Sequence, residues 1–215
     1  MPHGAALIFA DDRPLLTVSR YRDRVASLFG FQLPPHELLV DLALKESFFR
    51  LAQRGGFPVP GTILVRNRGD LNGLRDFRPP LCVKPNGRSP AYDGSFKKAY
   101  RVETQADARS LCEQVLETVG EVIVQEWIEG PNDAIYFCLC YMGPGPPVAF
   151  TGCKGRSWPP QVGLTASCWA APEVAEELEY LTIRFFRSIG FTNGFASSAT
   201  SATGAFGSSS RPPVG

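Results

Sequence analysis

Apolar and polar residues along this chain fall into short blocks whose period changes several times. Ala5 to Ala10 is an apolar run closed by Asp11-Asp12, which predicts a strand, and Val25, Leu28 and Phe29 have helical spacing within residues 21–29. From Pro35 the apolar positions Leu38, Leu39, Leu42, Phe48, Phe49 and Leu51 predict one helix, which Gly55-Gly56 ends. Phe57-Pro58-Val59-Pro60-Gly61-Thr62 then holds the chain extended into residues 63–65, because each proline pushes its predecessor towards β or polyproline geometry.

The pattern tightens in the middle of the chain. Leu81 to Lys84 reads as a strand, residues 85–94 as a Gly-, Pro- and Asn-rich loop, and Lys97 to Val102 as a returning strand. A helix follows through Ala108, Leu111, Cys112, Val115 and Leu116, within residues 106–118. Strands are predicted over residues 121–127, 134–141 and 148–153, and a strongly amphipathic helix over residues 173–189. Strands interleaved with few helices give an α+β fold class. After Gly190 to Ser197, which reads as the start of another strand, the chain runs through Ser, Ala, Thr and Gly to Gly215 with Arg211 its one charge; this tail cannot build a core and is expected to be disordered.

Composition narrows the classes. With 215 residues, 44% of them hydrophobic, the chain can bury one large core or two small ones. A formal net charge of +1 gives no electrostatic reason to expect nucleic acid or an acidic membrane, so any anion site must be local. The six cysteines show no metal-ligand spacing and read as reduced core thiols, and His3 and His36 as surface residues without partners. No leader pattern or membrane-length apolar run is present, which gives the expectation of a cytoplasmic protein.

Two segments carry the candidate chemistry. Leu81-Cys82-Val83-Lys84-Pro85 delivers a cation at a strand end, where a phosphate can be held by charge. Residues 122–130 run from a buried-looking strand into Glu126, Trp127 and Ile128, then a Gly-Pro turn, the composition of a hinge that packs an adenine ring. A further basic group, Lys154 and Arg156, follows the strand over residues 148–153, and an arginine fork suits anions. The loop has no Gly-x-x-x-x-Gly-Lys-Ser/Thr pattern, which disfavours a P-loop NTPase.

The order and spacing of these segments resemble the ATP-grasp superfamily, in particular carboxylate–amine ligases of the D-aspartate ligase and carbamoyl phosphate synthetase large-chain type. The resemblance spans roughly residues 35–195 and implies two α+β subdomains clamping a nucleotide. It divides the chain into a remnant of a preceding α/β domain (1–34), a linking helix and Pro-rich approach (35–61), a lid (62–125), an incomplete C-terminal subdomain (126–195) and the tail (196–215). It implies phosphate contacts from Lys45 and Lys84, with Lys97 and Lys98 as loop candidates. Adenine would be read by Glu126, Trp127 and Ile128, through a carboxylate or carbonyl at N6 and a backbone N–H near Ile128. Ribose would be held by Asn132 or Asp133, and Lys154 and Arg156 would face the γ-phosphate and the acceptor carboxylate. The implied reaction joins a small-molecule carboxylate to an amine through an acyl phosphate made from ATP.

One departure from the pattern matters. The family binds Mg²⁺ through carboxylates on its last strands, and here no carboxylate follows Glu179. The Ser-Ala-Thr run read one base out of register would encode Lys-Arg-Asp, so a shifted reading frame is one expectation for the tail. ATP binding is therefore the firmer expectation and turnover the weaker one. The alternatives are a non-catalytic nucleotide-binding or interaction module, and a plain structural domain.

Overall fold

The alternation in residues 62–126 is used by one antiparallel sheet and that in residues 135–201 by a second. The computed structural model describes residues 4–87, 90–130, 134–158 and 164–201. Its helices are α1 (Asp12–Arg20), α2 (Arg22–Ala26), α3 (His36–Ala43), α4 (Lys45–Arg54), α5 (Pro90–Ser95), α6 (Gln105–Val119) and α7 (Ala175–Ser188). Its strands are β1 (Thr62–Val65), β2 (Leu81–Lys84), β3 (Tyr100–Val102), β4 (Val122–Glu126), β5 (Ile135–Met142), β6 (Val148–Trp158), β7 (Leu164–Ala170) and β8 (Gly194–Ser201).

The first sheet has the order β1-β4-β2-β3, all neighbours antiparallel. Period-two alternation turns Leu81, Val83, Val122 and Val124 to one face, where they bury against Ala108, Cys112 and Val115 of α6. Helix α6 is well bounded: the Thr104 hydroxyl accepts the Asp107 N–H at 3.0 Å, and Gly120 takes the left-handed conformation at φ +83°. A 3-10 turn over Asp70–Asp76 adds Leu71 and Leu74 to this core.

The second sheet has the order β7-β6-β5-β8 and packs Cys138, Cys140 and Met142 against α7. Phe185 of α7 is wholly buried, with the rings of Phe48 and Phe57 each 5.2 Å away and Phe186 at 5.1 Å. Burying a side chain of this size contributes roughly 1.5–3 kcal/mol. Because Phe48 belongs to α4, that helix is anchored on the second core while its first residue reaches the first sheet.

Several sequence expectations are corrected. Residues 5–10 form no strand, only a parallel bridge from Ala6 to Gly30, and α1 follows where no helix was expected. The single helix after Pro35 is two helices, since Leu44 is extended at φ −97°, ψ 125°. The loop 85–94 includes the start of α5, the strand expected to end at Cys153 runs on to Trp158, and β7 was not foreseen. His36 is half-buried and shares a 2.7 Å hydrogen bond with the Ser19 hydroxyl. All six cysteines are free, with four buried and Cys168 exposed. Among the described residues no helix is long and apolar enough to cross a membrane.

Candidate functional site

Strand alternation sets the site. With Leu81 and Val83 turned into the first core, Cys82 and Lys84 point to the opposite face of the sheet. Just beyond β2, Asn86 is almost fully buried and ties three elements together. Its side-chain oxygen accepts the Glu46 N–H (3.0 Å), its carbonyl accepts the Lys45 N–H (2.9 Å) and Lys45 Nζ (3.3 Å), and its amide donates to Glu121 (3.1 Å). Leu44 cannot cap α4 with its side chain, and Asn86 does so from forty residues away in sequence.

This brings Lys45 and Lys84 together. Burial, together with the positive charges of Lys84 and Lys98, lowers the Lys45 amine from 10.5 to about 8. Burial likewise lowers the Lys84 amine and raises the Cys82 thiol. Among the described residues neither lysine has a carboxylate within ion-pair distance. Their bonded partners are neutral, the Asn86 carbonyl for Lys45 and the Gln125 side-chain oxygen for Lys84 (2.5 Å). Two half-buried amines that repel each other, with no carboxylate in ion-pair contact and only the more distant Asp12 charge acting on Lys45, have the chemistry to hold an anion.

Beside them β4 ends at Glu126. Glu126 is exposed, and its carboxylate accepts the Gly61 N–H at 2.7 Å while the Glu126 N–H donates to the Gly61 carbonyl at 2.9 Å. The Trp127 N–H donates to the Pro80 carbonyl (3.2 Å), and the Trp127 ring lies under Arg101, 5.5 Å from centroid to guanidinium carbon. Arg101 also pairs with Glu129 at 2.6 Å, so the residues after β4 are clipped to β3. Ile128 is half-buried next to this clip.

The remaining candidates separate. Lys97 is exposed and lies over the Tyr100 ring, 5.9 Å from its centroid, whereas Lys98 is the loop lysine whose charge acts on Lys45. Lys154 and Arg156 are not in a turn but within β6, paired with Cys168 and Ser167 across an irregularity in register. Among the described residues neither side chain makes a hydrogen bond or an ion pair, and Arg156 is exposed. Asn132 and Asp133 lie outside the described residues. Sequence reasoning missed Gln125 and Thr62 as site residues, although a glutamine inside an apolar strand is the signal that could have marked the first.

A cleft of about 550 Å³ opens between residues 9–12 and the second sheet, lined by Asp12, Leu139, Tyr141, Phe150 and Phe195 among others. Asp12, on the rim of this cleft, is also a carboxylate whose charge acts on Lys45. Among the described residues the donor set does not fit the Mg²⁺ that the resemblance implies. Among the described residues no three His, Cys, Asp or Glu side chains converge, and the Ser198 hydroxyl on β8 is spent on Thr182 at 2.7 Å.

No protein-family model matches the chain. No curated protein is significantly similar to it in sequence. Solved structures do match. The D-alanine-D-alanine ligase from Coxiella burnetii superposes with a TM-score of 0.64 at 16% identity, over 90% of this chain and 52% of that one. The ADP complex of N5-carboxyaminoimidazole ribonucleotide synthetase gives 0.68 at 13% identity, over 93% and 51%. The L-amino acid ligase from Bacillus licheniformis gives 0.59 at 15%, over 91% and 51%. The chain has the ATP-grasp fold. It spans about half the length of these ATP-grasp structures.

Proposed function

We propose that this ATP-grasp chain binds ATP with its phosphates at Lys45 and Lys84, and that the activity it serves is ATP-dependent carboxylate–amine ligation. The observation that carries the reading is the convergence of the two lysines, from α4 and β2, on neutral partners alone. A polyphosphate supplies the direct ion-pair partner that neither lysine has among the described residues and relieves their mutual repulsion.

In this reading the side chains divide the work. Lys45 and Lys84 hold phosphate oxygens, and Lys98 closes on them from the loop before β3. Adenine packs by Trp127 and Ile128. Glu126 serves through its backbone, because its carboxylate is committed to Gly61, and the Ile128 N–H is the ring donor because that of Trp127 is used by Pro80. Asp133 accepts from the ribose. Lys154 and Arg156, with no carboxylate partner among the described residues, orient the transferring phosphoryl group and the acceptor carboxylate. The cleft beside Asp12 admits the small-molecule carboxylate and amine. The chemistry is attack of a carboxylate oxygen on the γ-phosphorus, which breaks the bond to the β-phosphate oxygen and releases ADP to give an acyl phosphate, then attack of the amine on the acyl carbon, which expels inorganic phosphate and loses a proton to give the amide.

A second reading, a nucleotide-binding module without turnover, is favoured by one observation: the described donor set does not fit Mg²⁺. Calorimetric titration with ADP and ATP tests the shared part, with Lys84→Ala expected to weaken binding at least about tenfold, the equivalent of ~1.4 kcal/mol. Undetectable binding to the wild-type chain rejects both readings. Phosphate release in the presence of ATP, Mg²⁺ and a mixture of amino acids then separates ligase from module.

A further inference from the structure

Lys84 is aimed by a hydrogen-bond relay whose direction has only one consistent solution. The Thr62 hydroxyl donates to the Pro60 carbonyl at 2.8 Å, so its proton is used and only its lone pairs remain. Gln125 must therefore meet Thr62 through its amide N–H, at 2.8 Å, which turns the Gln125 oxygen the other way. That oxygen accepts Lys84 Nζ at 2.5 Å. The sheet register makes this possible: Gln125 pairs directly with Thr62 on β1, and Lys84 pairs with Ile123, leaving Gln125 as its diagonal neighbour. Thr62 is buried and Gln125 half-buried, so neither group is free to turn to water instead.

We infer that Gln125 is a positioning residue, which fixes the Lys84 ammonium for a phosphate group while leaving its charge unspent. The chemistry depends on the neutral amide. A carboxylate at the same place would also hold Nζ, but would pair with it in a poorly solvated site and cancel the field an anionic ligand needs. An apolar side chain would leave the charge intact but unaimed, and would strand the Thr62 lone pairs. The inference rests on the nucleotide reading above and adds a residue to it.

The test compares Gln125→Glu, Gln125→Leu and the pair Thr62→Val and Thr62→Ser, each checked for folding by circular dichroism. ADP affinity is measured by calorimetry across pH, and the Lys84 amine is titrated by NMR of the ligand-free chain. Gln125→Glu is expected to weaken ADP at least about tenfold and to move the Lys84 titration to higher pH. Thr62→Val should loosen ADP as Gln125→Leu does, and Thr62→Ser should restore it. A Gln125→Glu chain that folds and binds ADP like the wild type overturns the inference, whatever Lys84→Ala does. If Lys84→Ala leaves ADP binding unchanged, the nucleotide reading fails first and the positioning role with it. If the Lys84 titration moves in Gln125→Glu but ADP affinity does not, the relay exists without serving a phosphate, and the inference again fails.

Discussion

The side-chain oxygen of Asn86 accepts the backbone N–H of Glu46 at 3.0 Å, so the loop after β2 caps a helix on the far side of the Pro-rich segment. One residue thereby sets the distance between Lys84, two positions before it on the chain, and Lys45, whose N–H and Nζ both meet its carbonyl.

Removing that side chain should cost more than a surface asparagine would. Asn86→Ala leaves the Glu46 N–H without its cap, while the Glu121 oxygen it releases is exposed enough to turn to solvent, a loss of ~1 kcal/mol. The expected outcome is a melting temperature several degrees lower and a weaker response to ADP. An unchanged denaturation midpoint would show that the cap is not a stabilising element.

Stability should rise with pH in a defined window. The Lys45 amine titrates near 8 in the fold and at 10.5 in the unfolded chain. Between those values the unfolded state holds more protons, so folding is favoured as pH rises, and the cost of burying the charged amine is fully present only below about 8. Lys84 contributes in the same direction. Urea midpoints measured across this window should climb in the wild type and climb less in Lys45→Met.

The two loop lysines should differ. Lys98→Ala removes a positive charge that acts on Lys45 and should raise the Lys45 titration, while Lys97→Ala, whose amine lies over Tyr100, should leave it unchanged. NMR titration of labelled lysines reads this directly. Equal shifts in both variants would contradict the arrangement.

Glu126 should behave as a structural residue. Its carboxylate is bonded to Gly61, so Glu126→Ala is expected to lower stability by about 1 kcal/mol or less and to change ADP affinity little. A large loss of ADP affinity with unchanged stability would return the carboxylate to the nucleotide.

Phe185 joins α7 to α4 and to Phe57 through ring contacts near 5.2 Å. Phe185→Ala should cost about 3–5 kcal/mol, readable as a lowered urea midpoint. Because α4 also carries Lys45, ADP binding should weaken in the same variant at temperatures where it remains folded.

Much of this was written in local sequence. β2 was readable to the residue as Leu81 to Lys84 because a short apolar run closed by Pro85-Asn86-Gly87 reads as a strand, and α6 to within a residue at each end because its apolar positions keep helical spacing. Lys84 and Glu126 were likewise visible as the ends of strands, since both lie in short contiguous segments. What local sequence could not hold was the break at Leu44, which exists because Asn86, not a neighbour, caps the next helix. Nor could it say that Glu126 turns to Gly61, that Gln125 rather than a carboxylate meets Lys84, or that Lys98 rather than Lys97 faces Lys45. These are choices among hydrogen-bond and charge partners far apart in the chain. A side chain's partner depends on which groups burial brings within about 3 Å of it, and that is decided only when the sheets and α4 pack together.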